Sequence, residues 1–201
     1  MSESAKQLCI ELIATRMGLL FLDRHHPLGA GARNVALAFG VFWNGKCEGV
    51  LTFGHPVTNH AVTRFGYRSY EVLELRKMWM TDKPPANSES RAMSICVRLI
   101  RQHYPARQLL ITYCDAEEKA AAYRGCGWIP MEAVRSMREV MCGGVWLTVR
   151  DANRRGIYSQ RTDCRYECRR KWLLPLTEKA KLRVTHELQK DQVVQPPETN
   201  E

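Results

Sequence analysis

Apolar and polar positions divide the chain into short strands and a few helices. Residues 8–13 alternate loosely and predict a first strand. Thr15 offers a helix cap, and Leu19, Leu20 and Leu22 give the helix an apolar face that runs to His25 and His26, where Pro27 ends it. The clearest signal is a hairpin. Residues 35–43 (VALAFGVFW) and 46–53 are apolar runs joined by Asn44-Gly45, the dipeptide that most readily takes the two positive φ angles of a type I′ turn. Residues 56–69 are polar and predict a loop carrying His60 and Arg64.

From Tyr70 the order reads strand (YEVLELRKMWM), polar turn (TDKPPANSES), helix (RAMSICVRLIRQH), strand (QLLITYCD) and a second helix from residue 117 through Trp128. The helix over residues 90–103 sets Met93, Cys96, Val97 and Ile100 on one stripe, which predicts packing on a sheet. A strand that feeds a polar turn and a helix N-terminus makes an anion site, because the first helical N–H groups have no intrahelical acceptor. After Trp128 the pattern weakens; residues 145–149 and 166–174 read as late strands, joined by an arginine-rich connection over 150–164. The polar, proline-bearing residues 185–201 predict a disordered tail. The expectation is an α+β chain with a central, mostly antiparallel mixed sheet flanked by helices. One domain covers 1–184, and residues 151–184 form its basic C-terminal extension.

Composition sharpens this picture. A net charge of +9 and a pI of about 9.3 call for an anionic partner, nucleic acid ahead of a membrane surface or a phosphorylated cofactor. The eight cysteines are irregularly spaced, and Cys9, Cys96 and Cys114 lie in apolar segments. Met1-Ser2-Glu3 lacks the basic region of a signal peptide, so reduced thiols in the cytoplasm are expected. Cys164-x-x-x-Cys168 does not have the paired four-ligand spacing of zinc sites, and no metal is expected. Glu11, Arg16 and Asp23 interrupt the N-terminal apolar stretch, which excludes a membrane span there.

Particular residues carry a resemblance. Ala122-Tyr123-Arg124-x-x-Gly127-Trp128 resembles the tyrosine–glycine–aromatic signature that closes the cofactor site of the GNAT acyltransferase superfamily. The set Glu74-Leu75-Arg76-x-Met78-Trp79, Asn87-x-Glu89-Ser90-Arg91, Tyr113-x-Asp115 and Tyr123-Arg124 is similar to the Mom family of phage DNA-modification proteins, over roughly residues 8–130. The resemblance implies a GNAT-like fold acting on double-stranded DNA in the host cytoplasm. It also implies conversion of adenine to a carbamoylmethyl derivative that restriction nucleases do not recognise.

Two places depart from the pattern. Acetyl-CoA-dependent GNAT enzymes carry a glycine-rich pyrophosphate loop where this chain has Asn87-Ser88-Glu89-Ser90-Arg91, and Mom-like relatives carry Gly-His-x-Gly where it has Glu-Glu-Lys-Ala-Ala over 117–121. The acyl donor therefore stays open between acetyl-CoA and a charged tRNA. Carbamoylmethyl carried on the adenine nitrogen is, atom for atom, a glycinamide. Glycyl-tRNA could acylate the adenine amine, after which the freed glycyl amine would attack the ring.

That chemistry needs a base, an acid and an oxyanion partner, applied to a base extruded from its stack. Asp115 is the candidate base, with helix capping as its equal rival. Ser90 could join backbone N–H groups around an acyl oxygen, or simply cap its helix with Asn87. Tyr123 is placed by the resemblance as the acid that protonates the leaving group, with a core tyrosine as the rival, and His26, of the His25-His26 pair, is a further candidate base, with a cation at the helix C-terminus as its equal rival. Glu74, Arg76, Asn87 and Arg91 are candidates for holding the donor, with an ion pair as the rival for the first two. Arg64 and Arg68, then Arg154, Arg155 and Tyr158 in the run DANRRGIYSQR, are candidates for gripping nucleic acid, although charge runs are commonly just solvated. Two other readings compete: an N-acyltransferase using acyl-CoA on a protein or small amine, and an inactive scaffold that binds nucleic acid.

Overall fold

The computed structural model describes residues 4–27, 29, 31, 34–57, 60–115 and 120–194. Among these residues, eight strands and six α-helices follow one another as β1 (Cys9–Ile13), α1 (Thr15–His25), β2 (Val35–Trp43), β3 (Lys46–Gly54), α2 (His60–Thr63), β4 (Val72–Met80), α3 (Ser88–His103), β5 (Leu109–Asp115), α4 (Ala121–Gly125), β6 (Ile129–Cys142), β7 (Val145–Thr148), α5 (Val149–Arg154), β8 (Arg161–Pro175) and α6 (Glu178–Val194). The chain divides into two compact units, where one domain was expected. The first comprises residues 1–112, 121–129 and 173–201; the second comprises 113–120 and 130–172.

In the first unit the strands run β1-β2-β3-β4-β5, antiparallel except for the last pair. The hairpin forms as its turn demands: Asn44 and Gly45 take φ of 48° and 75°. β3 is buried along nearly its whole length, as a strand covered on both faces must be, with Val50, Leu51 and Phe53 fully inaccessible. The α3 stripe behaves as the periodicity predicts, and Ala92, Met93, Cys96, Val97 and Ile100 are buried. Against the prediction, Thr15 is the first helical residue of α1 and the cap position belongs to Ala14, which makes no side-chain capping bond.

Three irregularities interrupt this regular pairing. Thr52 faces Lys77 and Phe53 faces Leu75, so Arg76 is the extra residue of β4, which bulges there. Val41 faces Gly49 and Phe42 faces Cys47, which leaves Glu48 as the extra residue of β3. A third shift between Val35 and Leu37 does the same for Ala36 in β2.

The second unit takes its strands in the order β5-β8-β6-β7. β6 was not anticipated from the sequence. Residues 132–136 are exposed on both faces, so they show no two-residue apolar period. β8 starts five residues earlier than expected, for the same reason. Its small core is Val140, Cys142 and Ala152, with Met137, Leu147 and Ile157 packed on it. Trp172 is fully buried and donates its indole N–H to Cys114 Sγ at 3.0 Å.

Other expectations need correction. Residues 150–164, read as a connection, begin with α5, capped by Thr148, whose Oγ1 accepts from the Asp151 N–H at 3.1 Å. The helix expected from residue 117 is confined to α4 among the described residues, because Gly127 at φ 75° turns the chain into β6. The tail expected from residue 185 is helical as far as Val194, where α6 buries Ala180 and Val184; residues 195–201 lie outside the described residues. Among the described residues no helix is long and apolar enough to cross a membrane.

Candidate functional site

The N-terminus of α3 opens onto two adjoining cavities in the first unit, of about 730 and 500 Å³. Both are lined by Pro85, Ala86, Asn87 and Ser90, and both take Gly125 from α4. The turn that presents these groups has no glycine, yet Asn87 takes φ 67°, the left-handed conformation that glycine adopts freely and that asparagine tolerates better than other side chains. The Asn87 side chain makes no capping bond. Ser90 is half-buried and donates its hydroxyl to the Asn87 carbonyl at 3.0 Å. Asn87, Ser90 and Arg91, all three singled out in the sequence, line one cavity.

The electrostatics of the larger cavity favour an anion. Lys6, Arg91 and Arg98 contribute to its lining, and no carboxylate does among the described residues. The Arg91 Nε is buried without a hydrogen-bond partner, an orphan donor of the kind that a bound acceptor satisfies. Phosphate oxygens suit this donor set. Lys6, Ser94 and Arg98 were missed in the sequence; Arg98 could have been found, since it lies two helical turns beyond Arg91 on the same helix.

α4 is tied to α3 by Cys126, whose thiol donates to the Ser90 carbonyl at 3.0 Å and lies 3.2 Å from Ser94 Oγ. Burial pushes this thiol's pKa up, so it remains protonated at neutral pH and serves as a donor. The cavities take Ala121, Ala122 and Gly125 from α4. The Tyr123 ring instead rests edge-on against the buried Trp128, with centroids 5.7 Å apart.

The remaining candidates are dispersed. Glu74 and Arg76 form an ion pair at 2.9 Å, both nearly buried, and Glu74 also accepts from the Val57 N–H at 3.1 Å. The bulge at Arg76 supports this internal pairing, the rival role considered for the two residues, and neither lines the α3 cavities. His26 ends α1 with its ring against Trp79 at 5.6 Å. Burial, and secondarily Lys77, push its pKa down, which leaves it neutral and able to accept a proton. Arg64 lies over Phe65 and Arg68 over Tyr70, at 5.5 and 6.0 Å.

In the second unit, Asp115 is exposed at the end of β5; its expected capping of a helix at Ala116 falls on residues outside the described set. Arg154 pairs with Asp151 at 2.7 Å, Arg155 caps the end of α5, and Tyr158 donates to Met137 Sδ at 3.5 Å. Among the described residues no group of His, Cys, Asp and Glu side chains is arranged to hold a metal ion, and all eight cysteines are free thiols.

The model of the Mom protein family matches residues 7–163. The chain belongs to that family. A Mom relative, the methylcarbamoylase Mom of Escherichia phage Mu, is 30% identical over 115 residues, which is 55% of this chain and 47% of the relative. The chain spans about half the length of the curated relative it matches. Among solved structures, the polyamine N-acetyltransferase of Drosophila melanogaster superposes with a TM-score of 0.54 at 12% identity, covering 84% of this Mom-family chain and 99% of that one. The spermidine/spermine N-acetyltransferase of Vibrio cholerae gives 0.53 at 10% identity, covering 89% and 98%. At such identities the likeness carries the fold alone: a GNAT acyltransferase fold.

Proposed function

We propose that this protein is an acyltransferase-like enzyme that converts adenine in double-stranded DNA to its carbamoylmethyl derivative at the exocyclic amine, which would protect the DNA from restriction. Family membership supports the acceptor. The observation that carries the donor side is the cavity at the α3 N-terminus, with Lys6, Arg91, Arg98 and the orphan Arg91 Nε–H, which suits an acyl group carried on a phosphate-rich molecule. Glycyl-tRNA meets that requirement, and its glycyl group supplies every atom that the product gains over adenine.

The reaction proceeds in two transfers. The adenine amine attacks the glycyl ester carbonyl, an N–C bond forms and the C–O ester bond breaks. The amine's proton goes to a base, for which Asp115 is proposed, and the departing ribose oxygen takes a proton from an acid, for which Tyr123 is proposed. Ser90 exchanges its bond to the Asn87 carbonyl for one to the acyl oxygen. The freed glycyl amine then attacks ring carbon 6, the original bond from that carbon to nitrogen breaks, and the nitrogen leaves as the carboxamide.

The left-handed Asn87 favours a second donor, because it supplies the turn without glycine and leaves room for the pyrophosphate of acetyl-CoA. The acceptor in that reading is a protein or small amine.

Expression in bacteria, digestion of the DNA to nucleosides and mass spectrometry test the proposal. An adenosine heavier by the carbamoylmethyl group is expected, with yield reduced about 10²- to 10⁴-fold in Asp115→Asn. Unmodified adenosine from folded protein overturns the reading. Purified protein given DNA with glycyl-tRNA or with acetyl-CoA then separates the donors.

A further inference from the structure

In the second unit β8 and β6 are hydrogen-bonded neighbours of 15 and 14 residues, and their outer portions are exposed on both faces. A ribbon with so little buried surface is poorly explained as core. Its side chains suggest another purpose. β6 and β8 together carry seven arginines and lysines against four carboxylates.

The arginines are also organised. Arg165 lies over the Trp146 ring at 3.9 Å, Arg135 over Tyr166 at 4.2 Å and Arg161 over Tyr158 at 4.5 Å. A guanidinium held over an aromatic face can still donate to acceptors and has already lost much of its rotamer freedom. Arg161, Arg165 and Arg169 recur every fourth residue, in line with the two-residue period of β8 and about 13 Å apart at strand rise.

The local carboxylates do not saturate them. Glu167 is shared between Arg138 at 3.9 Å and Arg169 at 2.7 Å, and Glu139 meets Arg165 at 3.3 Å. The side chains of Arg138, Arg165 and Arg169 nevertheless remain 58%, 57% and 54% exposed. Arg170 Nε is buried without a hydrogen-bond partner. The arginine side chains are open to solvent even where their pairs are short, so a phosphate can reach and compete for them.

We propose that the β6–β8 ribbon is the surface that grips duplex DNA, with Arg138, Arg165 and Arg169 on phosphates and the stacked arginines setting its orientation. The observations favour duplex DNA over folded RNA because sheet strands can dock in the grooves of B-DNA, whereas the major groove of A-form RNA is too narrow for side chains to read. This inference rests on the reading of DNA as acceptor and gives it a binding surface distinct from the α3 cavity.

The test compares the full-length wild type with the triple variant Arg138→Gln, Arg165→Gln, Arg169→Gln. Affinity for a duplex and for uncharged tRNA is measured between 50 and 200 mM salt, a range set by counterion release. The triple variant is expected to bind duplex DNA with a salt slope shallower by about 2 to 3, and tRNA as the wild type does. The pair Glu139→Gln, Glu167→Gln is expected to tighten duplex binding several-fold, which keeps the test decisive should the triple variant fail to fold. Unchanged duplex affinity and slope in the folded variants overturn the ribbon proposal while leaving the DNA reading intact, and so does a loss confined to tRNA. A wild-type protein that binds no duplex overturns the DNA reading itself.

Discussion

Asn87 and Glu48 both occupy positions whose meaning is set by backbone geometry. Asn87 sits at φ 67°, so Asn87→Gly should fold normally, while Asn87→Val should lose about 1 to 2 kcal/mol, read from denaturant midpoints. Glu48 is the extra residue of the β3 bulge, and its carboxylate accepts from the Thr81 hydroxyl at 2.7 Å and from Lys83 at 3.1 Å. The Thr81 hydrogen bond chiefly holds its pKa below the ordinary carboxylate value. Unfolding in acid therefore takes up a proton. The contribution is complete above the unfolded pKa of about 4.3 and is lost as pH falls through the lowered one. Wild-type stability should accordingly drop more steeply than that of Glu48→Gln between pH 6 and 3; parallel slopes would show that Glu48 is not the group responsible. A one-residue bulge leaves no mark on hydropathy, so Glu48 could not be singled out beforehand, and the pairing of Arg76 with Glu74 entered only as the rival to a donor-binding role.

Elements were legible wherever one face is buried and the other is not. The Asn44-Gly45 hairpin and the α3 stripe follow directly from period-2 and period-3.6 patterns. β6 escaped notice because its outer half has no buried face, and α6 because its charged surface reads as tail. Lys181 and Lys190 pair with Glu178 and Glu187 one turn earlier, and a few buried residues suffice to anchor the helix. The approach of α1 to the sheet was equally invisible. Gly18 is buried, and a Cβ there would sit 2.9 Å from Ala38 Cβ and 3.3 Å from Val50 Cγ1. Gly18→Ala gains about 1 kcal/mol of helix propensity but meets an unyielding methyl. The clash should win, lowering the melting temperature, and Gly18→Leu should be worse. A rise in melting temperature for Gly18→Ala would mean that α1 shifts freely on β2.

Over the whole molecule, ordered blocks of residues identified the family and fold, because they mark the strand–turn–helix–strand core that every such fold must keep. The candidate site was only half legible. Asn87, Ser90 and Arg91 lie on one short stretch of sequence and meet at one cavity, whereas Lys6 comes from far away in sequence and no local pattern could bring it there. The contrast between the two units also governs their local stability. In the first unit, backbone bonds of β2 and β3 lie beneath fully buried Phe39, Val50 and Leu51. Along β6, residues 132–136 have nothing comparable above or below them. Amide protons there should exchange with solvent through small local openings, orders of magnitude faster than those of β3. Duplex DNA should slow that exchange selectively. A surface held this loosely can follow the twist of the duplex it touches, and the cost of that compliance is a ribbon vulnerable to proteases until DNA arrives.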